Sequence, residues 1–261
     1  MISIARLTVR KEDGRMKKYV IIAVILILAV VVFPLGYKLV ADKHVILNKL
    51  FVSDTDVIGA DLSMFQGDTD MAKLKEQGIQ FVIIKATEGS TYKDEYFAAN
   101  WQNAKEAGLP AGAYHFFSFE SSGKTQAANF ISTVGPVEGR LLPVVDVEFY
   151  GNFHVERPKK EDLIRELQDY LDALEEEYGI KPMIYTDPEI NKKYLKGTFD
   201  AYPKWLRSVY YPLSIQAGDD WYIWQYTDRG ELEGYSGHEK YIDLNVLNKK
   251  ITLDAVTVKT E

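Results

Sequence analysis

Cysteine is absent from the sequence, which excludes disulfides, thiolate nucleophiles, lipidated cysteines and Cys-ligated zinc. Histidine is scarce: His44, His115, His154 and His238 are the four, and no second His stands at ligand spacing from His115. The body of the chain also lacks a long basic run. The net charge of −7 hides a basic start, because residues 42–261 alone carry −12. Such a body is a poor phosphate-backbone binder, and nucleic acid is not an expected partner. Internal repeats and low-complexity segments are missing too, and a long uncharged apolar run occurs once.

That run extends from Tyr19 to Tyr37, nineteen residues rich in Ile, Val, Leu and Ala. At about 1.5 Å per helical residue it nearly matches a ~30 Å hydrocarbon core. Arg10, Lys11, Arg15, Lys17 and Lys18 precede it and only Lys38 and Lys43 follow closely, so the positive-inside bias predicts a cytoplasmic N-terminus and an exterior body on a cell membrane. Secretion after signal cleavage is the alternative, but Leu39-Val40-Ala41 breaks the small-x-small pattern at its first position. The expected organisation is a basic tail over 1–18, a single-pass transmembrane signal-anchor over 19–41, a stalk over 42–56, a folded domain over 57–248 and a tail over 249–261.

Within the folded domain short apolar runs alternate with helical periods. Strands are predicted at 57–62, 81–86, 111–117, 142–149, 182–186, 204–210, 221–227 and 241–247, with helices near 69–77, 94–107, 124–133 and 188–195. The longest helix, 159–178, repeats Leu163, Leu167, Tyr170, Leu171 and Leu174 at three- and four-residue spacing and stops at Gly179. This alternation predicts an α/β fold with a parallel sheet, an irregular TIM-like β/α barrel of eight strands whose last three have short connections. Ile251-Thr252-Leu253 would add a short β segment or fray.

The segment Leu141-Leu142-Pro143-Val144-Val145-Asp146-Val147-Glu148-Phe149 sets two acids in an apolar run. Side chains alternate along a strand, so Asp146 and Glu148 share one face, about 6.5–7 Å apart. Buried carboxylates are paired, metal-bound or shifted in pKa, and close acids push one another's pKa apart, which lets a proton donor and a carboxylate coexist at neutral pH. The structural alternative is one salt-bridged acid and one helix-capping acid.

In parallel barrels reactive groups gather at the C-terminal strand ends. Those ends carry Asp61, Glu88, Tyr114, His115, Asp146, Glu148, Tyr185, Trp224, Gln225 and Asp243. Acids among aromatics suit sugar chemistry, since ring faces stack on aromatics and a glycosidic oxygen needs an acid to protonate it. Carboxylate-bound Mg²⁺ is the chemical rival, and the Gly-rich phosphate cradle that would accompany it is missing. No metal and no organic cofactor is expected.

Six segments resemble, in family order, the family 25 glycoside hydrolases, the N-acetylmuramidase lysozymes. They are Gly59-Ala60-Asp61-Leu62-Ser63-Met64-Phe65-Gln66-Gly67, Phe81-Val82-Ile83-Ile84-Lys85-Ala86-Thr87-Glu88-Gly89, Gly112-Ala113-Tyr114-His115-Phe116, Asp146-Val147-Glu148, Trp224-Gln225-Tyr226 and Ile242-Asp243-Leu244-Asn245. The resemblance implies a barrel of eight strands with about five helices, and cleavage of the β-1,4 bond between N-acetylmuramic acid and N-acetylglucosamine in peptidoglycan. It implies Glu148 as general acid and Asp146 as nucleophile, base or orienter of the substrate's N-acetyl group. Asp61 and Asp243 would complete the acidic floor, and Tyr114, Tyr185 and Gln225 would shape the sugar sites. Glu88, His115 and Trp224 are further candidates for substrate binding. Arg207 departs from the pattern, which usually has a small residue there; it alters a subsite or faces outward.

Two acids on one strand approach one side of a sugar, so help from the substrate's own acetamido group is expected, with Asp146 stabilising its charge. The alternatives are a peptidoglycan-binding barrel of weak activity and a chitinase-like hydrolase, whose Asp-x-x-Asp-x-Asp-x-Glu pattern is occupied by Leu141, Val144, Asp146 and Glu148. Joined to the anchor, the resemblance implies a hydrolase that remodels or locally opens the cell wall, with the peptidoglycan strand, the membrane and a membrane-associated assembly machine as expected partners.

Overall fold

A computed structural model of the chain describes residues 2–41, 47–218 and 220–259 and divides into two units, 1–47 and 48–261. The first is helical: α1 (Ile2–Ile27), a π-turn (Leu28–Val32) and α2 (Phe33–Ala41). Its stretch Arg15–Leu39, 25 residues, is long and apolar enough to cross a membrane. The π-turn has a local cause. Pro34 has no N–H to return to Val30, and the N–H of Phe33 reaches back five residues to the carbonyl of Leu28. Residues 42–46 of the expected stalk lie outside the described residues.

The second unit contains β1 (Ile58–Leu62), β2 (Phe81–Glu88), β3 (Tyr92–Lys93), β4 (Ala111–Phe116), β5 (Val144–Asp146), β6 (Met183–Thr186), β7 (Lys204–Arg207), β8 (Ile223–Gly230) and β9 (Ile242–Leu247). Its helices are α3 (Met71–Glu76), α4 (Phe97–Glu106), α5 (Gly123–Val134), α6 (Lys160–Tyr178), α7 (Pro188–Ile190) and α8 (Leu213–Gln216). The sheet order β1-β9-β8-β7-β6-β5-β4-β2 closes through pairing of β1 with β2, giving the expected barrel of eight strands, with the two-residue β3 appended to β2. One strand departs from the parallel expectation: β9 runs antiparallel to both β1 and β8. A parallel return needs a crossover of a dozen or more residues, usually helical, and the connection over 231–241 contains no helix.

Alternation sorts the side chains. Phe81, Ile83, Val144, Met183, Tyr185, Trp205, Ile223 and Leu247 fill the barrel, while Ala60, Leu62, Val82, Ile84, Val145, Ile184 and Val246 face the helices. Helix α6 buries the five predicted residues and ends at Gly179 with φ 68°. It lies so close to α5 that a Cβ on Gly123 would fall 1.8 Å from the Glu166 carbonyl oxygen.

Several boundaries move. The strand expected over 142–149 shortens to β5, since its partner β4 ends at Phe116 and the N–H of Phe117 makes the last bond, to the Asp146 carbonyl. The strand expected over 204–210 stops at Arg207, where the Ser208 hydroxyl turns to bond the Tyr211 carbonyl. The compact unit begins at Asn48 rather than Val57. Asn48 is fully buried and donates to the carbonyls of Ser208 at 2.8 Å and Tyr226 at 3.0 Å. Among the described residues the tail forms no strand at 251–253: a 3₁₀ turn (Leu253–Val256) buries Val256 in the barrel interior, and Thr257 bridges Leu141.

Candidate active site

At one end of the barrel the inward residues change from apolar to polar and surround a cleft of about 320 Å³ lined by Asp61, Tyr114, Asp146, Glu148, Tyr185, Gln225 and Asp243 among others. Parity explains the convergence. Val144 faces the interior, so Asp146 two residues on does too, and Glu148 follows just past the strand end. Asp61 and Asp243 are directly paired across β1 and β9. Asp243 is only the second residue of its strand; because β9 is antiparallel, its beginning lies where the other strands finish.

A hydrogen-bond lattice holds Asp61 and Asp243. Gln225 Nε2 donates to Asp61 Oδ2 at 3.0 Å and to Asp243 Oδ2 at 3.2 Å, while its Oε1 accepts from Tyr185 OH at 3.0 Å. Asn245 Nδ2 donates to Asp61 Oδ2 at 2.8 Å, and Trp205 Nε1 donates to Asn245 Oδ1 at 2.8 Å. Burial pushes the Asp61 pKa up to about 6 against the pull of these amides. Asp243 is driven well above the usual carboxylate range, first by burial and then by Asp61. Two buried carboxyls this close cannot both ionise cheaply.

The other pair is differently placed. Asp146 is raised well above the usual range by burial and by Glu148; Glu148 is raised by burial, opposed chiefly by the Arg207 charge. Asp146 Oδ1 is buried and has no hydrogen-bond partner among the described residues. An acid pair that shares protons can donate to one oxygen and stabilise positive charge nearby. Among the described residues no group of three His, Asp or Glu side chains is arranged to hold a metal ion.

Three expected substrate contacts lie elsewhere. His115 points outward from β4, with Nδ1 2.7 Å from Thr87 Oγ1, Nε2 3.1 Å from Gln126 Oε1, and its ring stacked on Tyr170. Burial lowers its pKa to about 4, so it is neutral. Trp224 also faces outward and donates to the Ser208 carbonyl at 2.9 Å. Glu88 pairs with Lys85 at 2.7 Å and does not line the cleft. For His115 and Trp224 the even-odd alternation decides, since Tyr114 and Gln225 are inward and their neighbours are not; Glu88 follows a register shift in β2 and turns to Lys85. By the same rule Lys85, inward with Phe81 and Ile83, lines the cleft and was readable but not singled out. Phe65 and Glu239 come from loops, where no periodicity marks them, while Tyr241, just before β9, shares the parity of the inward Asp243.

A closed strand-and-helix barrel with four carboxyl groups converging at one rim has the layout of a barrel glycoside hydrolase. Comparison with known proteins makes the class specific: residues 60–235 match the model of the glycosyl hydrolases family 25, and the chain belongs to that family. A solved family 25 glycosyl hydrolase from Bacillus anthracis is 42% identical, with a TM-score of 0.72 over 79% of this chain and 96% of that one. The uncharacterized protein YegX of Escherichia coli K12 is 37% identical over 195 residues, 73% of this chain and 69% of its own length. The autolytic lysozyme of Clostridium acetobutylicum is 31% identical over 180 residues, 69% and 53% of the two chains.

Proposed function

We propose that this glycoside hydrolase is a muramidase that cuts the β-1,4 bond between N-acetylmuramic acid and N-acetylglucosamine in peptidoglycan. The similarity to an autolytic lysozyme supports the substrate. The observation that carries the reading is the buried, unpartnered Oδ1 of Asp146 beside Glu148. A buried acceptor without a donor is costly, and the N–H of a sugar's 2-acetamido group is a donor of the right kind.

Burial raises the pKa of both Asp146 and Glu148, and Glu148 adds to the rise at Asp146, so keeping a proton on one of the pair is favoured over ionising both. An acetamido N–H on Asp146 favours its ionised form and leaves the proton on Glu148. Glu148 then protonates the glycosidic oxygen while the acetamido carbonyl oxygen attacks C1 from the opposite face; the C1–O bond to the ring so formed replaces the broken glycosidic bond. Water opens this ring and gives its proton to Glu148. Asp61, Asp243, Tyr114, Tyr185 and Gln225 form the floor on which the sugar sits.

Purified peptidoglycan digested with the full chain should give fragments with N-acetylmuramic acid at their reducing ends by mass analysis. Glu148→Gln should slow release by about 10²–10⁴-fold. Reducing ends on N-acetylglucosamine, or none from the unaltered protein, would overturn the assignment.

The apolar helix supports a cell-membrane location with the N-terminus cytoplasmic and the barrel outside, where a tethered hydrolase would open wall locally for a membrane-associated assembly machine. Fractionation of the native protein checks this: full-length protein in the membrane fraction is expected, and a shortened soluble form would instead mean a cleaved signal.

A further inference from the structure

We infer that Arg207, held at the rim of the cleft by Asp228, is a specificity residue that binds a carboxylate carried on the C3 arm of a muramyl unit. The inference rests on the muramidase reading and adds which substrate feature the site recognises.

Arg207 is the last residue of β7, two positions beyond the inward-facing Trp205, and it is paired in register with Gln225, the residue that organises Asp61 and Asp243. Its side chain is 33% exposed, and Nη2 donates to Asp228 Oδ2 at 3.0 Å. A guanidinium has five N–H donors in a rigid fork, and this is its one hydrogen bond among the described residues. Asp228 thus fixes the orientation and leaves donors over. The charge is felt across the cleft, since Arg207 eases the ionisation of Asp61, Asp146, Glu148 and Asp243 alike.

Lys85, the cation that lines the cleft itself, is committed elsewhere: Nζ lies 2.7 Å from Glu88 and over the Phe116 and Tyr92 rings. Arg207, set beside the cleft through the cleft-lining Asp228, keeps a planar fork of spare donors, and its charge counters acids that would otherwise repel an anion. A neutral hexose offers a guanidinium only hydroxyl acceptors, whereas a carboxylate matches its planar fork in both geometry and charge. Muramic acid differs from glucosamine by a lactyl ether at C3 that ends in a carboxyl group. That carboxylate is free on glycan stripped of peptide; on peptide-bearing glycan the arm continues into a stem with carboxylates of its own.

The test uses the full chain in detergent and two matched pairs of short glycan strands. One pair carries free or methyl-esterified lactyl carboxylates, the other carries stems with free or amidated carboxylates. The unaltered protein should show a KM about tenfold lower for the anionic member of one pair, as a charge-assisted hydrogen bond would give, and the pair that responds identifies the source. Arg207→Gln should abolish that ratio and Arg207→Lys should keep part of it, with thermal midpoints confirming that both fold. A ratio near one for the unaltered protein in both pairs overturns the inference while leaving the muramidase reading intact. So does an Arg207→Gln variant that slows every strand by the same factor. Cleavage of no strand at all overturns both.

Discussion

Replacing Gln225 with Leu should destabilise the barrel by about 3 kcal/mol at pH 7.5 and by clearly less at pH 4. Gln225 is 1% exposed, and its amide serves Asp61, Asp243 and Tyr185 at once. Leucine keeps most of the volume and none of the bonds. Losing the bond to an ionised carboxylate costs about 1.5–3 kcal/mol, stranding the buried Tyr185 hydroxyl costs about 1–3, and burying an apolar side chain returns roughly 1. The sign with pH follows from Asp61, whose pKa is raised from 3.8 to about 6. A raised carboxyl contributes stability that is present below 3.8 and lost as pH climbs through 6. Gln225 lowers the Asp61 pKa, so removing it raises that pKa further and enlarges the loss at pH 7.5. At pH 4 the carboxyl is largely protonated, and the missing partner of Tyr185 is the main remaining cost. Thermal scans should show a drop of roughly 6–12 °C at pH 7.5, at about 2–4 °C per kcal/mol for a domain of this size. An equal drop at both pH values would refute the idea that Gln225 acts through the carboxyls, and no drop would refute the lattice.

His115 gives the opposite pH signature: its folded pKa lies near 4 against 6.5, so the stability it contributes is complete above 6.5 and is lost as pH falls through that window. The difference between unaltered protein and His115→Gln in denaturant titrations from pH 7 to 4 should show this slope, and a flat difference would contradict a buried neutral imidazole. Gly123→Ala should lower stability by about 2 kcal/mol or more, because the new methyl meets the Glu166 backbone rather than a flexible side chain; a change within about 0.5 kcal/mol would show that the helices separate easily. Asn48→Ala should cost about 1–2 kcal/mol through two lost bonds to carbonyls, read as a lower urea midpoint with an unchanged slope. Unaltered stability would return Asn48 to the stalk.

The spacing of apolar residues and the identity of a few short segments were enough to read eight strands, the longest helix with its glycine stop, and the acids at the rim. These are local properties, set by alternation along a strand and periodicity along a helix. Asp146 and Glu148 were legible for that reason, and so was Lys85, whose inward parity matches Ile83. His115 and Trp224 were adjacent to cleft residues in sequence and lie outside the cleft in space, because neighbours on a strand face opposite ways; Glu88 lies beyond a register shift in β2 and pairs with Lys85.

What no local pattern contains is the direction in which strands pair and what a buried group finds beside it. The reversal of β9 brings Asp243 opposite Asp61; a parallel strand would carry its second residue to the far end of the barrel. The pairing of Arg207 with Asp228 and the burial of Asn48 at the mouth of β7 and β8 likewise join residues distant in sequence. The sequence by itself determined the elements, their inward and outward faces and the chemical type of the rim. Only the tertiary structure decided which carboxyls resist ionisation together, which cation keeps free donors, and where the domain begins, because each depends on dielectric and contact between segments that the chain brings together only when the barrel closes.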